Sequence, residues 1–198
     1  MIEFINPLNH EPYTRLKAEY DAALKAGQEH IEAISIASYS KDQEYVDSRY
    51  VNLKFIDRDK FIFFTNYNSK KSAQFKSHKQ IAVNIYWQKT NTQIRIKANV
   101  KKSPDKYNNA YFRTRSSQKN ALAISSKQSQ TISSYSKVVE KYKEVMKNNN
   151  LKECPSYWGG YEFIPYEIEF WKGNQFRLNK RDLYVKVKKL WSHNILEP

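Results

Sequence analysis

The sequence predicts an α+β fold rich in β-structure, in which antiparallel strands are flanked by helices. Three observations carry this. Between residues 31 and 101, runs that alternate apolar and polar residues recur at roughly ten-residue spacing, the mark of a β-meander. Three other stretches carry apolar residues at helical spacing instead. Aromatic residues make up 15% of the chain, against only 4 glycines and 6 prolines, so there is enough apolar bulk for a packed core.

Residues 12–26 read as the first helix. Pro12 suits a first helical turn, Leu16, Tyr20, Ala23 and Leu24 form its stripe, and Gly27 stops it. Residues 31–39 read as a strand with Ile34 and Ile36 on one face. A second strand spans 48–56, a turn 57–60, and a third, central strand 61–66. Ser69 is an N-cap for a short helix over 69–77. Lys70 and Lys71 follow it, and a helix N-terminus beside two lysines can hold an anion. A capped surface helix with solvated lysines fits the same residues. Strands return at 81–88 and 92–101, the latter alternating Ile94, Ile96 and Ala98 against Gln93, Arg95 and Lys97. Ser103-Pro104-Asp105 opens a helix on which Tyr107, Tyr111 and Arg115 share a face. Such a Tyr–Arg pair can grip a phosphate, and an amphipathic stripe fits equally. Residues 125–134 are a polar connection with little to bury. A third long helix spans 135–147, with Val138, Tyr142 and Val145 as its inner stripe. Strands at 183–187 and 189–195 close the chain. No repeat or boundary interrupts this order, so residues 1–198 are expected to form a single domain.

Landmark residues crowd into 155–181, which holds Trp158 and Trp171 and three of the four glycines, Gly159, Gly160 and Gly173. The stretch reads as a strand, a tight turn and a second strand. Glu167, Glu169 and Trp171 fall on one face, with Ile168 and Phe170 on the other. Gly173-Asn174 offers the positive dihedrals of a hairpin turn, after which Arg177, Asn179 and Arg181 share a strand face. Two cations beside a large aromatic suit a planar anionic ligand. A buried tryptophan with surface arginines is the other reading.

The net charge of +14 is uneven: residues 1–50 carry 5 basic and 9 acidic side chains, residues 101–150 carry 11 and 3. The basic middle suits phosphate-bearing small ligands or nucleic acid. A Lys- and Asn-rich composition bias with solvated lysines is the simpler reading for most of the basic residues, and several of them fall in short blocks rather than interleaving with aromatics on one open face, which disfavours nucleic acid. One cysteine, Cys154, excludes an internal disulfide, and His10, His30, His78 and His193 show no metal-ligand spacing. No apolar run approaches the roughly 20 residues of a membrane span. Met1-Ile2-Glu3-Phe4 lacks the basic start of a signal peptide, so a cytoplasmic protein is expected. No GxGxxG, GxxxxGK[ST] or nucleophile elbow is present, so any chemistry is expected to rest on a bound cofactor.

Glu169-Phe170-Trp171, Arg177-Leu178 and Arg181, with the lead-in Pro155-Ser156-Tyr157-Trp158-Gly159-Gly160, resemble the C-terminal pattern of the pyridoxamine 5′-phosphate oxidases. The likeness runs from about Asn6 to the C-terminus, with its blocks in the family's order. It implies a split β-barrel of antiparallel strands with flanking helices, forming a homodimer with FMN at the subunit interface. The implied FMN contacts are Arg49, Lys54, Phe64, Thr65, Ser69, Lys70, Lys71 and Gln93 from one subunit. Gln128, Ser129, Trp171 and Arg181 are implied from the other. Lys54, Tyr111, Arg115 and Lys119 are implied to hold the substrate's phosphate, and Arg177 to lie over its ring as the catalytic residue, with Asn179 nearby. Arg49 and Lys54 have opposite parity in a straight strand, so a twist or bulge is expected between them. The implied reaction passes a hydride from the aminomethyl or hydroxymethyl carbon of pyridoxamine or pyridoxine 5′-phosphate to FMN, then to dioxygen, giving pyridoxal 5′-phosphate and hydrogen peroxide. Asn179 stands where the family has histidine, and Lys119 where it has serine. These departures raise two alternatives: an FMN oxidoreductase with another substrate, like the phenazine-biosynthesis flavin oxidases, or a non-catalytic flavin-binding protein.

Overall fold

The computed structural model describes residues 1–198, apart from the side chain of Lys106. Nine strands form one sheet: β1 Glu3–Ile5, β2 Ala33–Ser40, β3 Tyr45–Asp57, β4 Lys60–Asn66, β5 Gln80–Trp87, β6 Thr92–Lys102, β7 Trp158–Lys172, β8 Lys180–Val187 and β9 Leu190–Leu196. The helices are α1 Glu11–Lys25, α2 Lys70–Ser77, α3 Asp105–Thr114, α4 Ser117–Ser125 and α5 Tyr135–Asn148.

Six strands close into a ring. β3 pairs with β2, β2 with β5, β5 with β6, β6 with β7, β7 with β4, and β4 with β3 again. Two long strands make this closure possible. The first half of β3 pairs with β2 and its second half with β4, while β7 pairs with β4 through its start and with β6 along its length. A long strand bends through irregularities in its ladder. β3 has one between Leu53 and Phe55, and β7 accommodates Pro165 opposite another between Lys97 and Ala98. This ring is the expected split barrel. β1 adds to β3 in parallel, and β8 and β9 extend from β7.

The interior is packed by cross-strand aromatic pairs. Phe61 stacks on its register partner Phe163 at 5.1 Å between ring centroids, and Phe63 on Tyr161 at 5.9 Å. The alternation of β6 is realised, with Ile94, Ile96 and Ala98 buried. α1 covers one end of the barrel with Tyr13, Leu16, Tyr20 and Ala23. Leu24, expected in that stripe, is exposed. Gly27 (φ +73°) ends α1, its N–H bonding Leu24 O and that of Gln28 bonding Ala23 O.

Several expectations are corrected. The strand β1 and the helix α4 were not anticipated. α5 buries no residue completely, so Val138, Tyr142 and Val145 are not a core stripe; the helix packs on α4. Gly173 has no positive φ; its lack of a side chain is required because an added Cβ would run into the Asn91 amide. The left-handed residues of that turn are Phe176 and Arg177. Arg177 therefore lies in a left-handed turn over Gln175–Arg177, off the strand face expected to carry Arg177, Asn179 and Arg181. Glu169 is buried although its strand parity matches half-buried Glu167 and Trp171.

Gly159 permits a close approach that aligns β4 with β7. It pairs with Thr65, and an added Cβ would collide with the Tyr67 hydroxyl and Asn108. Asn108 is a hub: its Oδ1 accepts from Gly160 N at 2.8 Å, and its Nδ2 donates to Tyr67 OH at 3.0 Å. Gly159→Ala should cost about 1–3 kcal/mol through overpacking and lower the melting temperature by roughly 3–10 °C in a thermal unfolding scan. An unchanged midpoint would mean that Asn108 yields freely.

Candidate functional site

A cavity of about 460 Å³ opens where β3, β4, α2, the end of α3, α4 and the 126–134 connection meet. Among the described residues, its wall carries six cations, Arg49, Lys54, Lys70, Lys71, Arg115 and Lys119, and a single acid, Asp47. Phe64, Thr65, Tyr111, Gln128, Ser129 and Trp158 complete most of the lining.

Local structure explains how each cation arrives. Arg49 and Lys54 both reach the cavity because the β3–β4 ladder shifts between Leu53 and Phe55, making Lys54 the extra residue of a bulge. The parity conflict read from the sequence is resolved in this way. Lys70 and Lys71 form the first turn of α2, where backbone N–H groups point outward. Ser69 occupies the N-cap position but does not cap with its side chain; its hydroxyl meets Ser72 Oγ at 3.0 Å and lies behind Lys71, outside the cavity lining. Arg115 lies one residue beyond the end of α3 with an extended backbone, so it does not continue the helical stripe of Tyr107 and Tyr111. It turns back over Trp158, with its guanidinium 4.5 Å from the ring centroid. Lys119 is carried by α4, whose N-cap Ser116 accepts from Lys119 N.

The electrostatics are lopsided. Lys71 is 7% exposed, and its Nζ donates to two hydroxyls, Thr65 Oγ1 at 3.1 Å and Ser69 Oγ at 3.3 Å. Burial, with Arg49 adding to it and Asp47 opposing, lowers its pKa to about 8. Arg115 leaves Nη1 buried with no hydrogen-bond partner, while Nη2 donates to Lys119 O at 3.1 Å. Lys54 is answered by Glu32 at 3.2 Å. Burial raises the Glu32 carboxyl, but its own backbone N–H, Lys54 and the chain's amino terminus outweigh this and hold it at about 2. Arg49 pairs with Asp47 at 2.9 Å. Burial raises the Asp47 carboxyl, yet Arg49 keeps it below the ordinary carboxylate range.

One wall is aromatic. Tyr111 stacks on Phe64 at 4.1 Å, and Phe64 on Trp158 at 5.3 Å with an interplanar angle of 11°. Cations facing a flat aromatic wall suit a planar, phosphate-bearing ligand. Gln128 belongs to this same chain's cavity, where Thr65 Oγ1 donates to its Oε1 at 3.2 Å, and Ser129 lines it too. Their expected arrival from another subunit is therefore not what this geometry needs.

The other expected residues stand elsewhere. Gln93, Trp171 and Arg181 are register neighbours across β6, β7 and β8, forming a row outside the cavity. Arg181 Nε donates to the buried Glu169 at 2.8 Å, and Arg95 pairs with the same carboxylate. Arg177 and Asn179 lie on the 173–179 turn, also outside the cavity; Asn179 Oδ1 accepts from Asn174 N at 3.1 Å. Sequence reasoning missed Asp47, Tyr50, Val51, Asn52 and Trp158 as cavity residues. Asp47 is two residues before Arg49 on a strand, and that spacing put both on one face.

The chain matches the family described as pyridoxamine 5′-phosphate oxidase over residues 18–147, and the pyridoxine 5′-phosphate oxidase C-terminal dimerisation region over 158–198. A pyridoxine/pyridoxamine 5′-phosphate oxidase of Legionella pneumophila is 33% identical over 191 residues, covering 96% of this chain and 88% of the relative. That of Aliarcobacter butzleri is 34% identical over 197 residues, covering 98% and 92%. The crystal structure of PhzG from Burkholderia lata, in complex with tetrahydrophenazine-1-carboxylic acid, superposes with a TM-score of 0.90 at 26% identity, covering 95% of this chain and 93% of that one. A pyridoxamine 5′-phosphate oxidase-related, FMN-binding protein of Nostoc punctiforme shares the fold at a TM-score of 0.79 and 13% identity, covering 96% and 100%. Among the described residues, no helix is long and apolar enough to cross a membrane.

A dianion in this cavity favours protonated Lys71, whose own pKa is about 8. Binding therefore draws protons above that pH, and affinity falls as pH rises through it. Sulfate, whose charge is constant over the range, should bind more weakly at pH 9.5 than at pH 7 when followed by tryptophan fluorescence. Lys71→Met should bind it weakly at both. A wild-type affinity that does not change with pH would remove Lys71 from the anion seat.

Proposed function

The chain belongs to the pyridoxamine 5′-phosphate oxidase family, and from that premise we propose that it is an FMN-dependent oxidase. It converts pyridoxamine or pyridoxine 5′-phosphate to pyridoxal 5′-phosphate with dioxygen as electron acceptor, releasing hydrogen peroxide. The observation that carries this reading is the excess of cations in one cavity, led by a buried Lys71 whose partners are hydroxyls. Burying an ammonium without a counter-charge is costly, so the seat calls for an anion.

The charge count supports two phosphates rather than one. Of the six lining cations, Lys54 is answered by Glu32 and Arg49 by Asp47, leaving four positive charges. A phosphate ester carries about −1.5 to −2 at neutral pH, so a cofactor phosphate and a substrate phosphate together come close to balance. Arg49, Lys70, Lys71 and the first turn of α2 would hold the phosphate of FMN, with Thr65, Gln128 and Ser129 hydrogen-bonding beside it. Lys54, Tyr111, Arg115 and Lys119 would hold that of the substrate. Trp158 and Phe64 exclude water from the aromatic wall. When bound, FMN supplies hydride acceptance and reoxidation by dioxygen.

The remaining residues enter from a second copy of the chain. Trp171, Arg181 and the 173–179 turn lie outside their own cavity, and the match of residues 158–198 to a dimerisation region supports their completing another's; Gln93, expected on the cavity's own subunit, pairs with Trp171 and would travel with that row. In this arrangement Arg177 orients the substrate ring against the flavin, and Asn179 offers an amide where the family has histidine. The likeness to PhzG supports a second reading, with a carboxylate substrate in place of a phosphate ester. A single carboxylate would leave more of the cavity's charge unanswered, which favours the first.

Purified protein should show a flavin absorbance band that bleaches on anaerobic addition of pyridoxine 5′-phosphate and returns with air. A flavin band that ignores this compound would rule out the proposed substrate. Arg177→Ala should keep FMN and lose turnover by about 100-fold, as expected of a misplaced substrate. Lys71→Ala should weaken FMN binding by roughly 10- to 100-fold through loss of a charge-assisted phosphate contact.

A further inference from the structure

Arg49 is held more firmly than an anion-binding arginine requires. Its Nη1 donates to Ser38 Oγ at 2.6 Å and to Ile36 O at 3.3 Å, and its Nη2 donates to Gln74 Oε1 at 2.7 Å. Those three neutral acceptors come from β2 and α2 and fix the guanidinium by themselves. Gln74 is itself locked, since its Oε1 also accepts from Ser38 Oγ at 2.6 Å. The Asp47 carboxylate at 2.9 Å is thus a fourth partner that placing Arg49 does not need. Asp47 is also the one acid on the cavity wall.

We infer that Asp47 is a built-in competitor for the phosphate seat: a carboxylate that pairs with Arg49 and must yield when a phosphate-bearing ligand arrives. Two features make yielding possible. Asp47 is half-exposed, at 39% of its side chain, so it can turn toward solvent. Gln74 Nε2 is buried beside Arg49 with no close hydrogen bond of its own and helps hold the Asp47 carboxylate ionised, so a departing Asp47 releases this donor together with Arg49. The consequence is lower retention of the cofactor than the cation cluster alone would give, so the protein exchanges between loaded and empty forms more readily. This rests on the proposed FMN site for the identity of the ligand, but not for the competition itself.

The test is Asp47→Asn, which keeps the shape and removes the charge. Flavin fluorescence titration should show FMN binding about tenfold tighter than wild type, the scale of one partly exposed charge-assisted contact. Riboflavin, which lacks the phosphate, should bind both proteins alike. Sulfate, followed by tryptophan fluorescence with no flavin present, should also bind the variant more tightly. Equal or weaker FMN and sulfate binding by the variant would overturn the inference, as would a riboflavin gain as large as that for FMN. If neither protein binds FMN, the cofactor reading falls while the sulfate titration still decides the role of Asp47.

Discussion

A buried ammonium with no carboxylate against it is the constraint from which the site follows. Lys71 sits under the first turn of α2 with hydroxyls for company, and its lowered pKa records the cost of that position. The surrounding architecture makes this cost worse rather than relieving it. A bulge in β3 brings Lys54 to the side of Arg49, the chain after α3 folds Arg115 over Trp158, and α4 delivers Lys119. Charge gathered in this way is unfavourable in the empty protein and favourable around an anion. Glu32 and Asp47 offset part of it, and what they leave matches the charge of a phosphorylated cofactor and a phosphorylated substrate.

The barrel is the device that allows such a cavity. Its ring closes because β3 and β7 each serve two sets of partners, and the bends this needs fall where side chains must be re-aimed. Gly159 and Gly160 lie opposite Thr65 and Phe64, so the backbone of β7 presses close to the strand that carries two cavity residues. Closure also divides the functional residues. One group of the expected site residues lines the cavity within the chain, and the other, the Gln93–Trp171–Arg181 row with the turn bearing Arg177, lies outside it. On the proposed reading the two groups meet only when two copies associate, which makes assembly a condition of activity rather than an addition to it.

Much of this was legible in the sequence, and the failures have physical causes. The β-meander from 31 to 101 was readable because half-buried strands impose a period of two, as β6 illustrates. The conflict of parity between Arg49 and Lys54 pointed to a bulge that the β3–β4 ladder contains. β1 was missed because three residues pairing in parallel with a distant strand leave no periodic signal. α4 was missed although Ser116 precedes it as a cap, because Ala121–Ile124 is too short a run to stand out. Gly173 was read for backbone freedom, whereas its role is the space that Asn91 fills. The family likeness supplied most of the cavity residues, but it assigned Gln128 and Ser129 to another subunit, although they line the cavity of this chain. Asp47 is not among the residues that the likeness assigned, and its role follows from Arg49 having three other partners.

The central claim is that each site combines a cavity from one chain with a row and turn from another. It is tested most directly with mixed dimers. One partner would carry Lys71→Ala with Arg115→Ala, which disables the cavity, and the other Arg177→Ala, which disables the arriving turn. Each variant alone should be nearly inactive. Co-expressed under separate tags, random pairing leaves half the dimers mixed with one intact site in each, so activity should return to about a quarter of wild type. Mixed dimers no more active than their parents would mean that both halves of the site lie within one chain, and would contradict the account.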